Sequence, residues 1–106
     1  MLKSEEKLYQ QAYERSEGLC EYNGCGSNFM VQMHHIVKGS GKRTQCQRIE
    51  SVIFLCYEHH HARYGVHGMD GHTIDMELKI GLQRTYESMG MNEDEVRKLL
   101  GGKLHE

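Results

Sequence analysis

Two short pairs of metal-binding side chains, Cys20 with Cys25 and Cys56 with His59, constrain this chain more than any other feature. Four residues lie inside the first pair and two inside the second, with a long intervening segment between the pairs. That is the usual layout of a tetrahedral zinc site, because each turn presents two ligands and the metal ties the turns together. Thiolates favour a soft or borderline ion, and four protein ligands leave no position open for chemistry, so the spacing predicts a structural Zn2+. Cys46 is an alternative fourth ligand that would release His59 for other work; its place in a glycine-rich, charged loop makes it the less favoured of the two.

A staple of this kind suits the chain. With 106 residues, 38% of them hydrophobic, no Trp and two Phe, it is expected to form one domain over 1–106 with a limited core, which a bound metal would supplement. No apolar run approaches membrane-spanning length. The opening "MLKSEEKLYQQAYERSEG" is charged and helical in pattern, without the apolar stretch and cleavage site of a secretory signal. The expectation is a soluble, cytoplasmic protein without a membrane partner, in which four cysteines serve as ligands or free thiols rather than disulfides.

The periodicity predicts an α+β chain. Leu8 with Ala12 and Tyr9 with Tyr13 recur at four-residue spacing, which predicts a helix over about 4–16 ending before Gly18. "FMVQMHHIV" and "IESVIFLC" read as two strands joined by a cationic loop from Lys38 to Arg48, and the residues after Cys56 suit a short helix as far as Gly65. A stripe from Ile74 to Met89 predicts a helix over about 74–89, with Thr73 as a possible N-cap and Gly90 as terminator. Asn92 and Glu95 resemble a capping box for a last helix over about 93–100.

Charge is distributed unevenly. The net charge of −2 argues against a generally basic coat protein for nucleic acid. Between Tyr22 and Met69, however, five cations (Lys38, Lys42, Arg43, Arg48, Arg63) face two acids (Glu50, Glu58), whereas the flanks hold the other thirteen acids. The same middle region holds "FLCYEHHHARYGVHG", with four histidines in fifteen residues, a side chain suited both to metal binding and to proton transfer near neutral pH.

The order of a cysteine pair, "HHI", a loop, "SVIFLC", two residues and then "HH" resembles the HNH endonuclease family over roughly residues 20–67. The resemblance implies a small ββα-metal core with a structural zinc knuckle, flanked by helices at both ends. It implies a metal-dependent enzyme that hydrolyses DNA phosphodiester bonds: His34 and His60 as ligands of a catalytic divalent ion (Mg2+, Mn2+, Ni2+ or Zn2+) and His35 as the general base that activates water. Such an ion polarises a phosphate, and an imidazole is suited to accept the water's proton. The family's asparagine, which braces the base, falls on Ser51; Gln45, Gln47 and Glu50 are alternatives. A further family histidine falls on Tyr64, which leaves His67, water or substrate to complete the coordination, while His61 points about 100° from His60 on a helix. Compact standalone members resemble those of bacteria and their phages, so a phage-encoded copy would act inside the host cell.

Lys38, Lys42, Arg43 and Arg48 flank the expected base, and Arg63 lies on the same helical side as His60. Cations so placed would grip phosphates by charge, without reading sequence. The competing expectation is a zinc-containing module without catalysis, binding nucleic acid or protein; Ser51 in place of the asparagine is the feature that favours it. Oligomeric state, monomer or homodimer, is not legible in the residues.

Overall fold

The protein is described by a computed structural model covering residues 3–37, 48–102 and 104. It is a small α+β fold: helix α1 (Lys3–Ser16), strands β1 (Gln32–His35) and β2 (Val52–Leu55), a single helical turn α2 (Tyr57–His60), and helices α3 (His72–Ser88) and α4 (Glu93–Leu99). The two strands pair antiparallel, with Gln32 opposite Leu55, Met33 opposite Phe54, His34 opposite Ile53 and His35 opposite Val52.

The strands are shorter than their apolar patterns predict. Met30 sits at φ 48°, a left-handed conformation that no strand accommodates, so pairing begins only at Gln32. Ile49–Ser51 forms a tight 3-10 turn rather than the start of β2. The helix after Cys56 is likewise one turn long and ends four residues short of Gly65. In α3 the helix starts at His72 and its N-cap is Gly71, not Thr73, which lies inside the first turn. The capping box of α4 forms as the spacing predicts: the Asn92 side chain accepts from Glu95 N at 2.9 Å and Glu95 accepts from Asn92 N at 3.3 Å.

Because strand side chains alternate, the ribbon has two faces. Val52 and Phe54 turn one way and bury against Leu8 and Ala12 of α1, with Met33 packed alongside. Tyr9 and Tyr13 add ring contacts to Phe54 at centroid distances of 5.3 and 6.1 Å. On the other face Leu55 joins Cys20 and Cys56, with Ile53, Val66 and Leu78 against them. Beyond the end of β1, Ile36 and Val37 form a third cluster with Leu82 and Tyr86 of α3 and Val96 and Leu100 around α4.

Arg15 locks α1 to the ribbon. Its Nη1 donates to the Ile49 carbonyl and its Nη2 to the Val52 carbonyl, both at 2.8 Å. The same guanidinium forks onto Glu21 at 2.6 and 2.8 Å, and Glu21 accepts from Phe54 N at 2.9 Å. One planar cation thus joins the end of α1, the turn before β2 and the segment that carries Cys20. Lysine has the charge but not the fork. Arg15→Ala is expected to lower stability by about 2 kcal/mol, with Arg15→Lys recovering less than half, as read from the urea midpoint at unchanged slope.

Candidate metal centres

The loop after α1 turns back on itself to present two thiols. Cys25 N donates to the Tyr22 carbonyl at 2.9 Å, Cys20 N to the Ser27 carbonyl at 2.9 Å and Gly26 N to the Cys20 carbonyl at 3.0 Å. Asn23, Gly24 and Gly26 all have positive φ, and the Gly-Asn content of this stretch serves that reversal. Cys56 caps α2, and His59 follows three residues on, so both reach the same side of the helical turn.

Ligand atoms of Cys20, Cys25, Cys56 and His59 all lie within 4.8 Å of one another. His59 Nδ1 is 3.5 Å from Cys20 Sγ and 3.4 Å from Cys56 Sγ, and Cys25 Sγ is 4.0 Å from Cys56 Sγ. Tetrahedral coordination with Zn–S of about 2.3 Å and Zn–N of about 2.05 Å requires separations of roughly 3.8 Å between sulfurs and 3.6 Å between sulfur and nitrogen. The cluster fits an ion of zinc's size. The Tyr22 ring covers His59 at a centroid distance of 4.7 Å and is itself fixed by its hydroxyl, which donates to Glu77 of α3. Cys46 lies outside the described residues.

The thiols are electrostatically unequal. Burial pushes the Cys20 thiol up to about 11. Cys56 is held below the ordinary thiol range: burial opposes its thiolate, but the backbone N–H of His59 and hydrogen bonds with the Cys20 and Cys25 thiols outweigh it.

A second group forms on the ribbon face opposite α1. His34 of β1, His60 of α2 and His67 of the following loop bring one nitrogen each within 4.8 Å of the others. Ring centroids are 5.3 Å apart for His34 and His60, 5.2 Å for His34 and His67, and 4.7 Å for His60 and His67. His34 and His60 are buried and His67 is exposed, so the group has an open side.

His67 is delivered by a backbone knot. Val66 N donates to the His59 carbonyl at 2.9 Å and His67 N to the His60 carbonyl at 2.8 Å, folding the chain back onto α2. The knot closes only around glycine: a Cβ on Gly68 would lie 1.8 Å from the Ala62 carbonyl oxygen, and one on Gly71 2.0 Å from that of Gly65. The three-residue spacing of Gly65, Gly68 and Gly71 was the available sequence signal for this loop.

His35 stands apart from that trio. His34 and His35 are consecutive in a paired strand, so they face opposite sides of the ribbon, and no turn between them brings the two rings together. His35 shares the α1 face with Met33, and its Nε2 is 3.9 Å from Glu5 Oε1 of α1. Ser51 is buried; its hydroxyl donates to the Arg48 carbonyl at 2.8 Å and accepts from Arg48 N at 2.9 Å. Its own carbonyl accepts from Ile36 N at 2.9 Å, immediately after His35. Ser51 therefore closes the turn before β2 and braces the backbone beside His35. His61 pairs with the Gln32 side chain at 3.1 Å.

Of the expected phosphate-binding cations, Lys38, Lys42 and Arg43 lie outside the described residues, as do Gln45 and Gln47. Arg48, with its side chain 38% exposed, pairs with Glu50 at 3.3 Å, and its guanidinium lies 5.7 Å from the centre of the Tyr86 ring. Arg63 is 66% exposed and bonded to Asp70 at 2.6 Å. No helix among the described residues is long and apolar enough to cross a membrane.

No known family, curated protein or solved structure matches the chain.

Two outcomes follow from this geometry. In metal-free protein, folding raises the Cys20 pKa from about 9 to about 11, so the folded state holds that proton more tightly than the unfolded one. Its contribution to stability is complete below about pH 9 and lost as pH rises through about 11, whereas saturating Zn2+ should abolish this alkaline loss, as read from thermal midpoints against pH. Gly68→Ala should weaken metal binding at the three-histidine group by about tenfold or more while leaving the four-ligand cluster loaded, as read by titration with Co2+ or Ni2+.

Proposed function

We propose that this chain is a metal-dependent endonuclease of the HNH type, hydrolysing phosphodiester bonds of DNA. The observation that carries the reading is the convergence of His34, His60 and His67 beside the four-ligand cluster, in the order strand, strand, helical turn. The two groups divide the histidines of α2 between them. His59 belongs with the cysteines, and the next residue, His60, with the open trio.

The four-ligand cluster suits a structural Zn2+, since a closed thiolate-rich set has no position left for substrate. Three imidazole nitrogens with an open side suit a divalent transition ion such as Zn2+ or Ni2+ better than Mg2+ or Mn2+, which prefer oxygen ligands. When bound there, such an ion supplies a positive charge that polarises the scissile phosphate and steadies the leaving oxygen.

The chain's own residues supply the rest. His35 is the last residue of β1 and takes the proton from the attacking water, whose oxygen forms the new P–O bond as the ester P–O bond breaks. His34 and His35 face opposite sides, so a phosphodiester that both served would have to lie across the end of the ribbon, where the ladder stops at His35 and Val52. Ser51 fixes this end by holding Ile36 N on its carbonyl. Arg63, together with Lys38, Lys42 and Arg43 of the sequence between the strands, would attract the polyanion.

A second reading, a zinc module that binds nucleic acid or protein without cleaving, is favoured by one observation: both hydrogen bonds of the Ser51 hydroxyl close on the Arg48 backbone. Nicking of supercoiled plasmid separates the two. The nuclease reading expects cleavage that depends on added Ni2+ or Zn2+ and falls at least about a hundredfold in His35→Ala at unchanged zinc content. Absence of nicking by folded, zinc-loaded protein with every ion would select the binding module.

A further inference from the structure

The apolar run before β1 includes Phe29 and Met30, yet the chain turns there and shows a phenyl ring to water. Phe29 is 61% exposed, and Met30 beside it, equally exposed, sits at φ 48°. An L side chain takes that left-handed conformation at a cost, and such strain persists only where the surroundings hold it. Here Phe29 N donates to Ser27 Oγ at 3.2 Å, and the Phe29 carbonyl accepts from Tyr57 N at 3.0 Å. The displayed ring is thereby pinned to the first residue of α2.

From Phe29 a file of rings runs toward the three-histidine group. Centroids are 6.1 Å apart for Phe29 and Tyr57, 6.2 Å for Tyr57 and His61, and 5.6 Å for His61 and His67. All four residues are exposed. The first two steps are tilted by 77° and 43°, so these rings do not lie flat on one another and cover each other's faces. His67 is the exposed member of the group with His34 and His60, so the file ends at that group's open side.

Exposed aromatic rings beside a nucleic-acid site take unpaired bases, because every base has a π-face and stacking needs no hydrogen-bond readout. Bases inside a duplex are already stacked and must be extruded to offer that face. We propose that Phe29, Tyr57 and His61 form a stacking track for unpaired nucleotides, and that the strand led to the three-histidine group is single-stranded DNA. What the track leads to rests on the nuclease reading, whereas the stacking itself does not. A protein partner would use the same side chains for their apolar area, so the track is distinguished by requiring rings.

The test is fluorescence anisotropy of the full, zinc-loaded chain with three labelled probes: an oligothymidylate of about 12 nucleotides, an abasic strand of that length and a duplex of that length. The oligothymidylate is expected to bind at least about tenfold tighter than either of the others. Phe29→Ala should weaken only that binding, by about tenfold, with Phe29→Leu as weak and Phe29→Tyr within about twofold of the unaltered chain. Equal affinity for the abasic strand or the duplex, or an oligothymidylate affinity unmoved in Phe29→Ala, overturns the proposal. So does full binding by Phe29→Leu, which would mark an apolar patch of the kind a protein covers. Should Phe29→Ala fail to fold, Tyr57→Ala and the abasic strand decide the same question. Binding that depends on Phe29 in a chain that nicks nothing upholds the track and removes the nuclease reading; metal-dependent nicking without preference for the oligothymidylate does the reverse.

Discussion

An antiparallel ribbon of two four-residue strands does not hold together in water by itself, and this one stands at the centre of the molecule. What fixes it is the junction at the end of β2, where Cys56 and His59 meet Cys20 and Cys25. That junction draws together a turn that follows α1 and a helical turn that follows β2. With ligand atoms at tetrahedral spacing, a bound ion would replace core volume that a chain with two Phe and no Trp does not supply. The Arg15–Glu21 pair works on the same segment from the other side, so the ribbon is tied at the Cys20 segment and along β2.

Once the ribbon is fixed, its alternation distributes the chemistry. The face toward α3 carries His34 and, next to it, His60 and His67; the face toward α1 carries His35 and Glu5. The three-histidine group and His35 are thereby separated by the thickness of one strand.

Much of this was legible along the chain. The four-ligand cluster followed from two short spacings, because ligands a few residues apart in a turn are neighbours whatever the rest of the chain does. The capping box of α4 and the face of α1 that carries Leu8 and Ala12 were legible for the same local reason. The apolar patterns overstated the strands, since Phe29 and Met30 have the composition of a strand but turn with Met30 at positive φ. Arg48 read as a cation of a charged loop, and the structure adds what that reading did not hold, its pairing with Glu50 and its approach to the Tyr86 ring.

The sequence by itself determined which atoms can bind a metal and that four of them belong to two adjacent turns. Only the tertiary structure decided that His67, one of the alternatives the residues left open, joins His34 and His60, and that Glu5 stands against His35. The physical reason is range: spacing within a turn or a strand is set by local backbone geometry, whereas His67 depends on a knot of glycines against α2, and Glu5 on a helix docked by Leu8, Ala12 and Arg15 onto strands far along the chain.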